Sequence, residues 1–204
     1  MPDETDSSGW NRRDLQRAAT RARLFDAAVE EFRRRGFTDA EVAAIADAAE
    51  VSRGSFYFHF PSKEHVLAEL GRVEERRMVD ELETLLMSSS DLAGILSALV
   101  EAVTATEHRL GAALMRDLLA QYFWSSTLGP EAIADHPLVE FVIAAFSRAA
   151  GRAEVAADID SAEMSVIFLT GLFGLLTISE SPSASRDRLV RRFISITING
   201  MRPT

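Results

Sequence analysis

Apolar side chains recur at helical spacing along most of the chain, and no stretch alternates long enough to predict a strand. In the first segment, Leu24, Ala28 and Phe32 mark one face for burial. The pattern therefore predicts an all-α protein. The longer predicted helices cover about residues 14–35, 63–86, 92–107, 109–125, 138–152, 161–180 and 186–201. Two short helical patterns lie between the first two, one with Val42, Ile45, Ala46 and Ala49 on its apolar face and one that begins at Val51-Ser52.

The end of the first predicted helix carries the clearest stop signal. Residues 33–35 are three arginines, whose charges favour the negative end of a helix. Gly36 can adopt the left-handed conformation that follows a helix, and Phe37 can then fold back on Phe32. We expect the chain to turn sharply at Gly36.

Start signals follow in three places. Thr38 and Glu41 have the spacing of a capping box, which predicts that the second helix begins after Thr38. Ser52 can cap the third helix through its hydroxyl, and Ser62 can do the same for the long fourth helix. Three helices thus fit before the long fourth helix.

The second and third predicted helices meet at a tight turn, and the third has the chemistry of a DNA reader. Phe56 and Phe60 point back into the domain, while the remaining side chains can donate to phosphates or base edges. Arg53 is the best candidate for a guanine edge, and Ser55 suits a shorter base or phosphate contact. The candidate DNA-binding residues are Ser52, Arg53, Gly54, Ser55, Tyr57, His59 and Lys63, of which Tyr57, His59 and Lys63 suit phosphates.

The run VSRGSFYFHFPSKEHVL, within about residues 20–70, resembles the signature of the tetracycline-repressor-like (TetR) family of bacterial transcription regulators. The resemblance implies a three-helix helix-turn-helix DNA-binding domain, joined by a long helix to a helical domain that binds a ligand and dimerises. It divides the chain into a polar arm over residues 1–13, a DNA-binding domain over 14–62 and a ligand-binding and dimerisation domain over 63–204. Repression relieved by an effector is the usual mode of such proteins.

Two positions depart from that family's pattern. Ala40-Glu41 stands where relatives usually have two threonines, and Glu50 stands where they usually have glycine. A left-handed backbone at Glu50 would cost about 1 kcal/mol relative to glycine. Both glutamates also place negative charge in a segment that is expected to approach DNA.

Charge is distributed unevenly along the chain. The net charge is −9, which opposes nucleic-acid binding when taken alone. Residues 12–35, however, hold eight arginines against four carboxylates, whereas the chain from Gly71 onward is acidic. Basic charge therefore lies beside the proposed reader, although the same arginines could form a solvated helix face without a partner.

Composition and motifs narrow the other possibilities. The chain has no cysteine, so disulfides and thiolate metal sites are excluded, and its start lacks the apolar run of a secretory signal. The longest apolar run, residues 164–178, is too short to span a bilayer. We expect a cytoplasmic protein without cofactor or metal. No enzyme motif is present; a helical carrier of lipophilic molecules is the alternative to a regulator.

The second half of the chain predicts an apolar ligand site and a dimer face. Large apolar and aromatic side chains with a few polar tips suggest an apolar, possibly aromatic, effector. The candidate ligand-binding residues are Met115, Leu119, Tyr122, Phe123, Trp124, His136, Phe141 and Phe168. The last two helices are too apolar for a monomer surface, which favours a two-fold homodimer. The candidate interface residues are Ile167, Gly171, Leu175, Phe193 and Ile194.

Overall fold

The computed structural model describes residues 12–87, 90–125, 136–156, 158–178 and 183–202, without the side chains of residues 122–125. All regular secondary structure in these ranges is helical, as the apolar periodicity predicts. The chain divides into two compact units, Met1–Leu67 and Ala68–Thr204. We call them the first unit and the second unit.

Four helices begin in the first unit: α1 (Arg12–Arg35), α2 (Val42–Ala48), α3 (Arg53–His59) and α4 (Lys63–Met87). Helix α4 starts in the first unit and continues into the second. The second unit adds α5 (Leu92–Leu110), α6 (Ala112–Ser125), α7 (Pro137–Gly151), α8 (Ser161–Thr177) and α9 (Ala184–Gly200).

The core of the first unit is built from one face each of α1, α2 and α3. Leu24, Phe32, Ile45 and Phe56 are at most 1% exposed. Helix α1 ends where its stop signal predicts. Gly36 has a φ of +80°, and the Phe37 ring meets the Phe32 ring edge-on at 5.3 Å between centroids.

The predicted capping box at the start of α2 is wrong. The helix begins at Val42, and Glu41, which occupies the N-cap position, makes no side-chain cap bond. The carboxylate of Glu41 instead accepts from Arg35 at 3.2 Å. A capping box requires Thr38 at the N-cap position and Glu41 inside the first turn, whereas this helix begins only after Glu41.

The second unit encloses an apolar core made by helices from α4 to α9. Phe146 and Phe168 are fully buried, with their ring centroids 6.3 Å apart. A buried ion pair joins α5 to α9, because both guanidinium NH2 groups of Arg186 donate to the carboxylate of Glu107 at 2.8 and 2.5 Å. Each of these two residues is only 3% exposed.

A bilayer-spanning segment is not found among the described helices, none of which combines the necessary length and apolarity.

Candidate DNA-binding surface

Helix α3 is short, and its own residues fix which face it exposes. The Ser52 hydroxyl accepts from the backbone N–H of Ser55 at 3.2 Å, which is the cap that the sequence predicts. Phe56 is fully buried and anchors the opposite side of the helix. Arg53 and Tyr57, one turn apart, are both exposed.

The rest of the candidate set lies around this exposed face. Ser52 and Gly54 are exposed, whereas Ser55 and His59 are half-buried. An added Cβ at Gly54 would meet nothing closer than the Ser52 hydroxyl at 3.7 Å, so packing within the protein does not demand glycine there. The structure thus brings six of the seven candidates together on or beside α3.

Lys63, the seventh candidate, has a different environment. Its ammonium donates to the carbonyl oxygens of Phe37, Thr38 and Ala40 at 2.8, 2.7 and 3.3 Å. These three acceptors account for all three ammonium hydrogens. The phosphate contact expected from the sequence would require Lys63 to give up one of them, so the structure assigns Lys63 to holding the turn between α1 and α2.

The turn before α3 places Glu50 in the left-handed conformation that was considered for this position in the sequence analysis. Glu50 has a φ of +55°, and its N–H donates to the Asp47 carbonyl at 3.1 Å. The next N–H, from Val51, donates to the Ala46 carbonyl at 3.0 Å. These bonds close the turn and hold a non-glycine residue in the left-handed region.

The arginines of α1 divide into two groups. Those at the end of the helix are paired with carboxylates: Arg34 with Glu31 at 2.6 Å, and Arg35 with both Glu31 and Glu41. Their charge is therefore compensated locally, and so is that of Glu41.

Arg17 and Arg21, nearer the start of α1, lie beside the end of α3. Burial in the first place, followed by the positive charges of these two arginines, lowers the pKa of His59 below its ordinary value of 6.5. The sequence alone placed Arg17 and Arg21 only on a basic helix face, because the approach of α1 to α3 is a tertiary contact.

Four of the predicted ligand-binding residues are part of the core of the second unit. Met115, Leu119, Phe141 and Phe168 are at most 6% exposed. The Phe168 ring stacks on Phe193 at 5.4 Å between centroids. The side chains of Tyr122, Phe123 and Trp124 lie outside the described residues.

His136, the remaining ligand-binding candidate, is engaged by helix α4. Its Nδ1 lies 3.0 Å from a carboxylate oxygen of Glu75, which is 6% exposed. The neighbouring Glu74 accepts from Arg109 of α5. Two consecutive carboxylates of α4 thus connect it to α5 and to the start of α7.

The predicted dimer residues have mixed environments. Ile167 is 58% exposed, whereas Ile194 is 8% exposed and belongs to the core of the single chain, so the structure does not support it as an interface residue. An added Cβ at Gly171 would lie 2.5 Å from the Phe193 ring, so the close approach at this glycine is within the chain. Leu175 and Phe193 are half-buried.

Sequence reasoning did not select several exposed residues of the same helices for the interface. Ile178 of the α8 C-terminus is 70% exposed, and Leu189 and Ile196 of α9 are 50% and 61% exposed. The spacing of Ile167 and Ile178 places them on one stripe of α8. That spacing was the available signal, but it does not tell which face the chain itself covers.

Known proteins resemble this chain in sequence and in fold. The family model described as bacterial regulatory proteins, tetR family, matches residues 24–70. The HTH-type transcriptional regulator UidR of Escherichia coli (strain K12) is 25% identical over 187 residues, covering 89% of this chain and 92% of UidR.

Two solved structures have the same fold over most of their length. FadR of Thermus thermophilus, a TetR family transcriptional repressor in complex with lauroyl-CoA, has a TM-score of 0.74 and 22% identity, covering 90% of this chain and 96% of that one. FadR of Bacillus subtilis, in complex with stearoyl-CoA, has a TM-score of 0.67 and 15% identity, covering 89% and 99%.

The capped α3, the preceding turn and the helical second unit define a helix-turn-helix transcriptional regulator. The match over residues 24–70 identifies this segment as the DNA-binding segment of the tetR family of bacterial regulatory proteins.

Proposed function

We propose that the protein is a homodimeric repressor that reads its operator through α3 and is released by a small apolar effector. The exposed face formed by Arg53 and Tyr57, fixed from behind by the buried Phe56, is the observation that carries the proposal. A short helix with a buried anchor and an exposed arginine near its N-terminus suits insertion into the major groove.

Within that face we assign different tasks to different residues. Arg53 has the bidentate donor geometry that distinguishes guanine, so it would read sequence. Tyr57 and His59 would contact phosphates and set the position of the helix. The Ser52 hydroxyl caps the helix by accepting from the backbone N–H of Ser55, which leaves the Ser55 hydroxyl for a base or phosphate. Gly54, which has no side chain, would allow close approach of the backbone to DNA.

Replacement of Arg53 by alanine tests whether this residue recognises a base in the operator. We expect operator affinity to fall about 5-fold to 150-fold, from the loss of about 1–3 kcal/mol, and discrimination between base pairs at the contacted position to relax. The measurement is fluorescence anisotropy with a labelled DNA fragment from upstream of the protein's own gene, against single-base variants of that fragment.

The matched control is Arg23→Ala. Arg23 is also exposed, but it lines a groove of about 650 Å³ between α1 and α2 together with Asp26 and Glu30. Its loss should leave sequence preference intact. An Arg53→Ala variant with unchanged operator preference would refute the assignment of base reading.

The exposed apolar face of α8 and α9 supports the homodimer. Ile167, Ile178, Leu189 and Ile196 are each at least half exposed. A single chain would leave this surface in water, whereas a second copy related by two-fold symmetry would cover it with the same residues. Two copies would also present two α3 helices to successive half-sites of an operator.

The second unit supports an apolar effector. Its interior is lined by aliphatic and aromatic side chains, and the two FadR structures of the same fold hold lauroyl-CoA and stearoyl-CoA. Such an effector relieves repression only if it binds the DNA-incompetent state more tightly, since equal affinity for both states shifts nothing. Helix α4, which runs from one unit into the other, is the element through which we expect the change to pass.

Lauroyl-CoA is a defined probe for the effector class. We expect it to raise the melting temperature of the protein and to release bound operator, while free coenzyme A, which lacks the apolar chain, does neither. If neither lauroyl-CoA nor lauric acid changes the melting temperature or DNA binding, the proposal of a long-chain effector is refuted. The proposal that α3 recognises the operator is not affected by that result.

A further inference from the structure

Two arginines of α1 lie over aromatic rings of, and just after, α3. The guanidinium carbon of Arg17 is 5.0 Å from the centroid of the Phe58 ring, and that of Arg21 is 4.5 Å from the centroid of Phe60. Both distances are within the range of a cation–π interaction. The two rings differ in burial, because Phe60 is 1% exposed and Phe58 is 66% exposed.

Phe58 is unusual for its exposure. It belongs to a helix whose other phenylalanine is fully buried, yet two thirds of its surface faces solvent. Such a ring adds little to the core, so its stability contribution does not account for its presence. Its ring lies beside the Arg17 guanidinium and meets the His59 ring edge-on at 5.2 Å between centroids.

Arg17 carries an uncompensated charge at this place. Among the described residues it forms no ion pair with a carboxylate, in contrast to the arginines at the other end of α1. It is exposed, and its positive charge is close enough to His59 to oppose the protonation of that ring. A fixed, unpaired guanidinium beside α3 is suited to a phosphate.

We infer that Arg17 contacts the DNA backbone at the edge of the groove that α3 enters, and that Phe58 is the positioning residue that holds it there. Stacking occupies the face of the guanidinium and leaves its N–H groups for an oxygen acceptor. Because the ring restricts the side chain before DNA arrives, less conformational entropy is lost on binding. The inference rests on the proposed operator reading and extends the DNA interface from α3 to α1.

The salt dependence of DNA affinity tests this contact. Each neutralised phosphate contributes about 0.9 to the slope of log affinity against log salt concentration. We therefore expect Arg17→Ala to reduce the slope by about 0.9, so that its deficit relative to the wild type shrinks about 3-fold between 50 and 200 mM KCl. The probe is the labelled upstream fragment, measured with the full-length protein.

Three further variants separate position from charge. Arg17→Lys should keep the slope but bind less tightly, because the ammonium retains the charge and loses the planar stack. Phe58→Leu should weaken binding without changing the melting temperature, since the ring is largely exposed. Arg23→Ala, on another face of α1, should leave the slope unchanged.

The outcomes distinguish this inference from the function on which it rests. Equal slopes for wild type and Arg17→Ala, with sequence-preferring binding by both, would overturn the Arg17 contact and leave the regulator intact. A wild-type protein that prefers none of the tested upstream sequences at low salt would overturn the operator reading and the Arg17 contact together.

Discussion

At the residue scale, Glu50 is a non-glycine residue held in a backbone conformation that favours glycine. Its φ of +55° lies in the region that glycine enters without steric cost and that other residues enter at a cost. Two hydrogen bonds close the turn around it, so the surrounding structure maintains the conformation. The turn therefore has the same shape that glycine would give it.

Glu50→Gly should stabilise the protein. We expect a gain of up to about 1 kcal/mol in the free energy of unfolding, because the strain of a Cβ in the left-handed region disappears. The greater freedom of glycine in the unfolded chain offsets part of that gain. Urea unfolding measures the difference.

Glu50→Ala is the control for charge. It removes the carboxylate but keeps the Cβ, so it should give no comparable gain in stability. Equal stabilisation by alanine and glycine would show that charge, and not backbone strain, was responsible.

His59 gives the first unit a dependence on pH. Because its pKa is lowered in the folded state, the folded protein favours the neutral ring, and the unfolded chain binds more protons as pH falls below 6.5. Stability contributed by His59 is therefore complete above that pH and is lost as pH falls from 6.5 toward the lowered pKa.

His59→Gln should flatten this dependence. The free energy of unfolding of the wild type should fall more between pH 7.5 and 5.5 than that of the variant. Parallel profiles over this interval would mean that the ring titrates alike in the folded and unfolded chain.

At the scale of elements, the sequence predicts helix ends well wherever the signal is local. The residues of the α1 stop and the Ser52 cap lie within a few positions of the backbone that they satisfy. The start of α2 could not be found in this way. Lys63, from 23 to 26 residues away, binds the carbonyls of the preceding turn, and Arg35 takes the carboxylate of Glu41.

The candidate sites show the same division. The spacing of α3 identifies a set that the structure groups together, whereas the role of Arg17 depends on the ring it meets across 41 positions of sequence. In α8, the spacing marks Gly171 as a position of close approach but does not reveal that Phe193 of the same chain fills the space. The spacing of apolar residues shows which face of a helix is apolar, but only the tertiary structure shows whether the same chain covers that face.

The exposed stripe of α8 provides the test of the homodimer. Ile167→Glu should convert the dimer to a folded monomer, because a carboxylate buried against a second apolar copy lacks a partner. Analytical ultracentrifugation measures the mass, and circular dichroism checks the helical content.

Leu15→Glu is a closely matched control. Leu15 of α1 is 57% exposed, compared with 58% for Ile167, and it lies in the first unit. We expect this variant to remain dimeric. If Ile167→Glu also remains dimeric at micromolar concentration, the interface does not include this stripe.

For the whole molecule, distribution of charge matters more than its total. The net charge of −9 would repel DNA at low salt, yet Arg17 lies beside Phe58 of α3, the helix that we propose to contact DNA. Repulsion from distant carboxylates is screened beyond about 8 Å at physiological ionic strength. Local contacts can therefore dominate, and a regulator of this family can carry a net negative charge.

The Glu107–Arg186 pair joins parts of the chain that are 79 residues apart. We expect Glu107→Gln to reduce the free energy of unfolding by about 3–5 kcal/mol, because it leaves a buried guanidinium without its countercharge. The double variant Glu107→Leu with Arg186→Met should lose much less, since both charges are removed together. Thermal and urea unfolding of the wild type and these two variants measure the difference; a double variant as unstable as Glu107→Gln would contradict the expectation.

This pair also constrains how the sequence can evolve. A first substitution at either position would remove a large part of the stability of an ordinary domain, so most lineages carrying it would lose the folded protein before the second substitution arose. We therefore expect positions 107 and 186 to change together among descendants of this sequence. Charge reversal or joint replacement by apolar residues would be the accessible routes.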